Sequence, residues 1–432
     1  MRNITSYSSE SLIIEGGRRL RGQVEVSGSK NASLPLMMSV LMTDEVCYIE
    51  NIPRLLDVEN TLELLRILGA EFDYKDKILT VDASNLSNYI APDYIVRRMR
   101  ASVLVMGPLL SRFGKATVSM PGGCSIGVRS IDQHLKVFEK GGANIRVEHG
   151  YIHLELKKIK PVEHTFDVIT VTGTENALMF LSRCEKRSIL RNIALEPEVI
   201  DLVEALRKMG IEIQIEGRVA LIRGSSQLSG FRHKVIPDRI EAGTFLVAGF
   251  MTGGDVELLG AYPQHLGSVL EKLYEAGACI DVKDKDRIRI YSKDGRIKPL
   301  ILQTSEYPGF PTDMQAQFMA MCCIADGTSE VTENIFENRF QHVAELQRMG
   351  ASIHISGRTA IVRKTERLTG AEVFSTDLRA SASLVLAGLV AEGTTVVRDI
   401  HHLERGYERM DKKLKKLGAH IEKNSLNKVL QK

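Results

Sequence analysis

Six times along the chain an amphipathic stretch runs into a glycine and then into alternating apolar and polar residues: LRILGAEFDY, FEKGGANIRVE, LRKMGIEIQIE, LYEAGACIDVK, LQRMGASIHIS and LKKLGAHIEK. The pattern predicts an amphipathic helix closed by a glycine C-cap and followed by a β-strand. The glycines are Gly69, Gly142, Gly210, Gly277, Gly350 and Gly418, at intervals of 73, 68, 67, 73 and 68 residues. First and fourth, second and fifth, third and sixth are each 208 residues apart. The spacing predicts a doubled triplet, two domains of three units each. Units of about 70 residues exceed the 20 to 50 of common solenoid repeats.

Each unit also holds an earlier helix candidate, apolar on most sides: KNASLPLMMSVLM, MRASVLVMGPLL, GTENALMFL, RIEAGTFLVAGFM, TDMQAQFMAMCCIA and LRASASLVLAGLVA. Such helices are expected inside their domains, with sheets packed around them and their polar starts exposed. Lys30, Asn31, Arg100, Asp313 and Arg379 stand at or near these starts. A helix start offers free N–H groups and partial positive charge, which suit an anion. For any one of these residues the alternative is a helix-start side chain facing water.

Composition narrows the classes. A chain of 432 residues is long enough for two domains with a cleft, which favours an enzyme over a small module. Hydrophobic residues at 44% and charged residues at 26% are ordinary for a globular protein. The net charge of +3 argues against a general nucleic-acid surface, so any anion site must be local. No apolar run reaches the ~18 residues of a membrane span, and MRNITSYSSE lacks a signal-peptide core; a cytoplasmic protein without membrane insertion is expected. Cys47, Cys124, Cys184, Cys279, Cys322 and Cys323 form no C-x-x-C pair and no zinc-spaced cluster, so neither disulfides nor metal is expected.

The segment VSMPGGCSIGVRSIDQH sets Cys124 in a glycine-rich loop, five residues before Arg129. Cys124 is either a small core residue in a turn or a thiol for chemistry, with Arg129 as a cation able to hold a thiolate. The other five cysteines lie in hydrophobic or helical contexts that suit buried inert thiols. Asp313, after the turn of SEYPGFPTD, fits a helix N-cap or a general base. Arg339 and Arg405 are candidate anion ligands, with surface arginines as the alternative. His401 and His402 invite a metal reading but lack matching ligands at helical spacing.

Taken together, SGSKNASLP, MRASVLVMGPL, PGGCSIGVRSID, YPGFPTDMQAQF, IFENRF, TDLRASASLVLAG and RGYER resemble, in order, the UDP-N-acetylglucosamine 1-carboxyvinyltransferase family of enolpyruvyl transferases, from about residue 11 to about residue 422. The resemblance implies an α/β fold of two similar domains, each of three β-α-β-α-β-β units around internal helices (an inside-out α/β barrel), with the active site between them. The implied division is residues 1–20 with 238–432 in a discontinuous first domain, and residues 21–237 in a second carrying the Cys124 loop.

The implied reaction moves the enolpyruvyl group of phosphoenolpyruvate to the 3′-hydroxyl of UDP-N-acetylglucosamine and releases phosphate, without a cofactor. It is the first committed step of peptidoglycan synthesis. Both substrates are anionic, so cations should neutralise phosphate and carboxylate. By resemblance Lys30 and Asn31 are the cleft pair, with Lys30 reaching phosphoenolpyruvate. Arg129 and Arg405 also bind phosphoenolpyruvate, and Arg339 and Arg379 are further substrate-binding arginines. Arg100 and the run Arg129, Ser130, Ile131, Asp132 and Gln133 contact the nucleotide sugar. Asp313 lies beside the sugar hydroxyl as a candidate base, and Ile335 makes a backbone contact. Cys124 is the proton-donating loop cysteine and the target of fosfomycin.

Two positions depart from the family pattern: Ser130 replaces the common proline and Ser29 the usual alanine. The competing expectations are a non-catalytic nucleotide-sugar-binding paralogue and 5-enolpyruvylshikimate-3-phosphate synthase, which would not need the Pro-Gly-Gly-Cys phrase.

Overall fold

Each of the six glycines closes a helix in the same way. In the computed structural model, which describes residues 10–121 and 131–425, their φ angles all lie between 91° and 101°. At the first, the Gly69 N–H donates to the Arg66 carbonyl and the Ala70 N–H to the Leu65 carbonyl. The same pair of bonds recurs at Gly142, Gly210, Gly277, Gly350 and Gly418. This left-handed cap satisfies the last helical carbonyls, and a side chain there would be strained. The residue after each glycine, Ala70, Ala143, Ile211, Ala278, Ala351 or Ala419, is buried, which explains the invariant small or apolar residue in the repeat.

The described residues form six four-stranded sheets of one plan. In one of them, strand Glu163–Thr165 leads through helix Val171–Leu181 to the parallel strand Ser188–Arg191. Helix Pro197–Lys208 then leads to the hairpin Glu212–Glu216 and Val219–Arg223, whose second strand pairs antiparallel with Ser188–Arg191. Three sheets borrow a strand from a distant part of the chain. Arg21–Glu25 lies parallel beside Asp255–Leu259, and Arg232–Lys234 parallel beside Cys47–Glu50. Glu10–Glu15 sits between Thr394–Arg398 and His420–Ser425.

The chain divides into two units, residues 10–27 with 237–425 and residues 28–121 with 131–236, each with its own hydrophobic core. Residues 21–27 belong to the first because of the pairing of Arg21–Glu25 with Asp255–Leu259. The predicted internal helices are Lys30–Ser39, Met106–Phe113 and Val171–Leu181 in the second unit, and Arg239–Met251, Gln315–Cys322 and Leu378–Val390 in the first. Every residue of Gln315–Cys322 is buried. The glycine-capped helix Leu56–Leu68 is only partly buried, through Asp57, Val58, Thr61, Leu62, Leu64, Leu65 and Leu68.

MRASVLVMGPLL differs from the single helix its apolar run predicts. It is a 3₁₀ helix over Arg100–Val105 followed by an α-helix from Met106. Pro108 lacks an N–H and its ring obstructs the preceding turn, so it is tolerated only near an α-helix start. Among the described residues no helix is long and apolar enough to cross a membrane.

Candidate active site

In the first unit two of the candidate residues, Arg339 and Arg379, meet at Asp313. Its carboxylate accepts from Arg339 Nη2 at 2.6 Å and from Arg379 Nη2 at 2.9 Å. It lies in the 3₁₀ turn Thr312–Met314, and the N-cap of the following helix Gln315–Cys322 is Met314, without a side-chain cap; the Asp313 carboxylate is instead drawn to two buried guanidinium groups. Arg339 also donates from Nη1 to Thr312 Oγ1 at 2.9 Å, and Thr312 donates to Glu333 Oε2 at 2.8 Å.

Sequence reasoning missed Glu333, which is 1% exposed and organises the loop carrying Ile335. Its Oε1 accepts the Ile335 N–H at 2.9 Å, the Phe336 N–H at 3.1 Å and the Thr304 hydroxyl at 2.9 Å. A glutamate within an ordinary loop phrase, VTENIF, carried no sequence signal for this.

Arg379 is the second residue of helix Leu378–Val390, which Asp377 caps by accepting the Arg379 and Ala380 N–H groups. It is 2% exposed. Burial opposes its charge, but Asp313, Tyr407 and Asp238 outweigh that and hold its pKa above the usual arginine value. Arg405 ends the 3₁₀ turn Leu403–Arg405, two residues before Tyr407. Burial, His401 and Arg405 push the pKa of His402 down to about 4, so its ring is neutral at neutral pH. The His401 and His402 ring centroids lie 4.0 Å apart with the rings tilted by 37°, and no three potential ligands gather for a metal among the described residues.

In the second unit Lys30 opens helix Lys30–Ser39, with Asn31 beside it, and its Nζ is 3.5 Å from Oδ2 of the buried Asp57. Ser29 has a use that alanine could not supply: its Oγ accepts the Ala32 N–H at 3.3 Å and caps the helix. Arg100 opens its 3₁₀ helix, Ile131 is buried, and Asp132 and Gln133 begin helix Asp132–Lys140. The Gln133 amide is engaged at both ends. It donates to Asp132 at 2.8 Å and Asp167 at 2.9 Å and accepts the Asp167 N–H at 3.0 Å, so it ties down its own segment. Cys124, Arg129 and Ser130 lie outside the described residues.

A buried amide joins the Arg100 segment to the Asp132–Gln133 segment. Asn176 donates to the Val103 carbonyl at 2.9 Å and to His134 Nδ1 at 3.0 Å, and accepts the Gly107 N–H at 2.7 Å. A Cβ on Gly107 would fall 2.5 Å from the Asn176 carbonyl, so only glycine lets these helices meet. Burial and then Arg100 push the His134 pKa down to about 3, which leaves Nδ1 an acceptor and Nε2 able to donate to Thr172. Asn176→Ala should cost about 2–4 kcal/mol in urea unfolding, because it orphans buried groups. Unchanged stability would refute the link.

Of the other cysteines, Cys47, Cys184, Cys322 and Cys323 are buried, and burial raises the thiol pKa of Cys47 to about 12 and of Cys322 to about 11. Cys279 departs from the expectation of a buried thiol: it is half-buried at the start of strand Cys279–Asp284.

With this geometry the chain can hold a carboxylate beside buried cations and present cations at helix starts, a setting for proton transfer among anions. The sequence model of the family described as EPSP synthase (3-phosphoshikimate 1-carboxyvinyltransferase) matches residues 14–424. The chain belongs to the EPSP synthase family of enolpyruvyl transferases. Among solved structures, the enolpyruvyl transferase NikO from Streptomyces tendae is similar with a TM-score of 0.87 at 26% identity, over 96% of this chain and 99% of that one. EPSP synthase from Acinetobacter baumannii shares the fold, with a TM-score of 0.75 at 18% identity over 96% and 99% of the two chains. The two-domain α/β plan of the enolpyruvyl transferases is therefore the plan of this transferase.

Proposed function

We propose that the protein transfers the enolpyruvyl group of phosphoenolpyruvate to the 3′-hydroxyl of UDP-N-acetylglucosamine and releases phosphate, a cytoplasmic step that commits the sugar to peptidoglycan. The observation that carries the acceptor is the phrase PGGCSIGVRSID at residues 121–132, in its place among the other six phrases. The site geometry supports the chemistry. Asp313 takes the hydroxyl proton as the sugar oxygen bonds to C2 of phosphoenolpyruvate, while the π pair of the double bond takes a proton at C3 from Cys124. Phosphate then leaves C2 with its bonding pair as the Cys124 thiolate takes back a proton from C3, which restores the double bond and the thiol. Lys30, Arg129, Arg379 and Arg405 neutralise the donor's phosphate and carboxylate, Arg339 steadies Asp313 as a substrate-site cation, and Arg100 with the segment 129–133 holds the nucleotide.

The family description favours a second acceptor, 3-phosphoshikimate. Phosphate release from phosphoenolpyruvate distinguishes the two. Release is expected with UDP-N-acetylglucosamine and not with shikimate 3-phosphate or a uridine nucleotide lacking the amino sugar. Equal release with either of the others would overturn the acceptor, and none with any of the three would leave a binding paralogue.

A further inference from the structure

Three internal helices of the first unit meet around a row of polar side chains that the reaction as written does not use. Thr244 on helix Arg239–Met251 donates to the Ile240 carbonyl at 2.7 Å. Its proton is thereby spent, so the Tyr407 hydroxyl, 3.0 Å away, is the donor in the Thr244–Tyr407 bond. Gln317 Nε2 lies 3.1 Å from both the Tyr407 hydroxyl and Thr244 Oγ1, so one of its protons is shared between them. Gln317, on helix Gln315–Cys322, also donates to the backbone carbonyl of Asp313 at 2.9 Å. The opposite amide orientation would aim Oε1 at that carbonyl, so the network assigns the donors.

Tyr407 is 2% exposed, and its ring faces the Arg379 guanidinium, whose Cζ lies 5.4 Å from the ring centroid. Arg379 is thus held at one corner by Asp313 and on one face by the ring. Its Nε and Nη1 are buried and have no hydrogen-bond partner among the described residues. A guanidinium clamped in this way presents its remaining edge to an acceptor in one fixed plane. The buried Gln317 Oε1 also lacks a donor among the described residues. That costs stability an apolar side chain would retain, so packing alone does not account for the amide.

We propose that Tyr407 and Gln317 are positioning residues that fix the plane of Arg379 and the backbone of Asp313 relative to each other through one buried amide. The inference rests on the proposed role of those two groups toward phosphoenolpyruvate and the acceptor hydroxyl. Both side chains are buried, and in this proposal they act through Arg379 and Asp313 rather than on the reacting atoms. Burial holds the phenol neutral, its pKa raised even though Arg379 pulls the other way, and its proton is committed to Thr244.

The test is steady-state kinetics with phosphoenolpyruvate and the acceptor that supports turnover, with calorimetric binding of phosphoenolpyruvate and thermal unfolding on the same samples. Tyr407→Leu should raise the KM for phosphoenolpyruvate about tenfold, the size of a lost guanidinium–ring contact. Tyr407→Phe restores the ring face and should recover most of that loss. Gln317→Met, close in volume and able to fold if Tyr407→Leu is not, should lower kcat about tenfold with little change in that KM, because it loosens Asp313 while leaving the ring in place. Lower melting temperatures with wild-type kcat and KM in the folded fraction would reduce both residues to structural roles and overturn the proposal. Wild-type protein that neither binds nor turns over phosphoenolpyruvate would instead overturn the functional reading, and this inference with it.

Discussion

Asp313→Asn is expected to lower kcat by about 100- to 10,000-fold, the range for loss of a positioned general base. Asparagine keeps the shape of the side chain but cannot take the proton of the attacking hydroxyl. The KM for phosphoenolpyruvate should not rise, and a modest fall is the expected direction. Arg339 and Arg379, 5% and 2% exposed, lose their shared counter-ion and become better hosts for an anionic substrate. Some stability should go too, about 1–3 kcal/mol, because two buried cations lose a partner that is itself partly exposed. Steady-state kinetics on folded variant separate the effects. A kcat within tenfold of wild type would remove Asp313 from the proton-transfer step and leave it an arginine clamp.

Acidification from pH 6.5 to about 4 should lower the unfolding free energy by roughly 2–4 kcal/mol, at about 1.4 kcal/mol per pH unit for each net proton taken up on unfolding. Burial depresses the pKa of His134 to about 3, helped by Arg100, and of His342 to about 4, helped by Arg339. His402 falls to about 4 through burial, His401 and Arg405, but it is partly exposed and contributes less. A histidine whose folded pKa lies below its unfolded value of about 6.5 stabilises the fold above that value. The contribution is lost as pH falls toward the folded pKa, since the unfolded chain then binds the proton first. Glu175 acts in the opposite sense: burial, with Glu198 and Glu196 nearby, raises its pKa well above that of an exposed glutamate, so it offsets part of the loss. Urea titrations between pH 7 and 4 measure the slope. His134→Gln should flatten it, and a slope identical to wild type would remove His134 from the account.

The two predictions draw on residues of different visibility in the sequence. Asp313 stood out beside a proline-rich turn, yet local sequence left it between a helix cap and a base. The cap is refused because Arg339 and Arg379, 26 and 66 residues further on, converge on its carboxylate. His134 gave no signal, since a histidine on an amphipathic helix looks the same whether or not Asn176 waits across the core. Gln133 was picked out by the family resemblance alone; its bonds to Asp132 and Asp167 depend on a residue 34 positions away and could not be read from its own phrase. Ser29, a departure from the family pattern, proves to be a helix cap, a role set within three residues and so readable locally in principle.

The sequence by itself determined the six capped helices, the strands after them, the buried helices and the doubled triplet. Each depends on periodicity and on a glycine in left-handed backbone, forces that act over a few residues. The ordered phrases carried the wider family of enolpyruvyl transferases, because their combination is specific even where each phrase is not. Tertiary structure alone decided which distant strands complete the sheets and where charges meet: Arg21–Glu25 beside Asp255–Leu259, Asp313 between two arginines, Glu333 beneath the Ile335 loop, and the Tyr407 ring against Arg379. The reason is physical. Those pairings act over a few ångströms between residues tens to hundreds of positions apart, and a linear pattern records which groups are available but not which of them the folded core brings within reach.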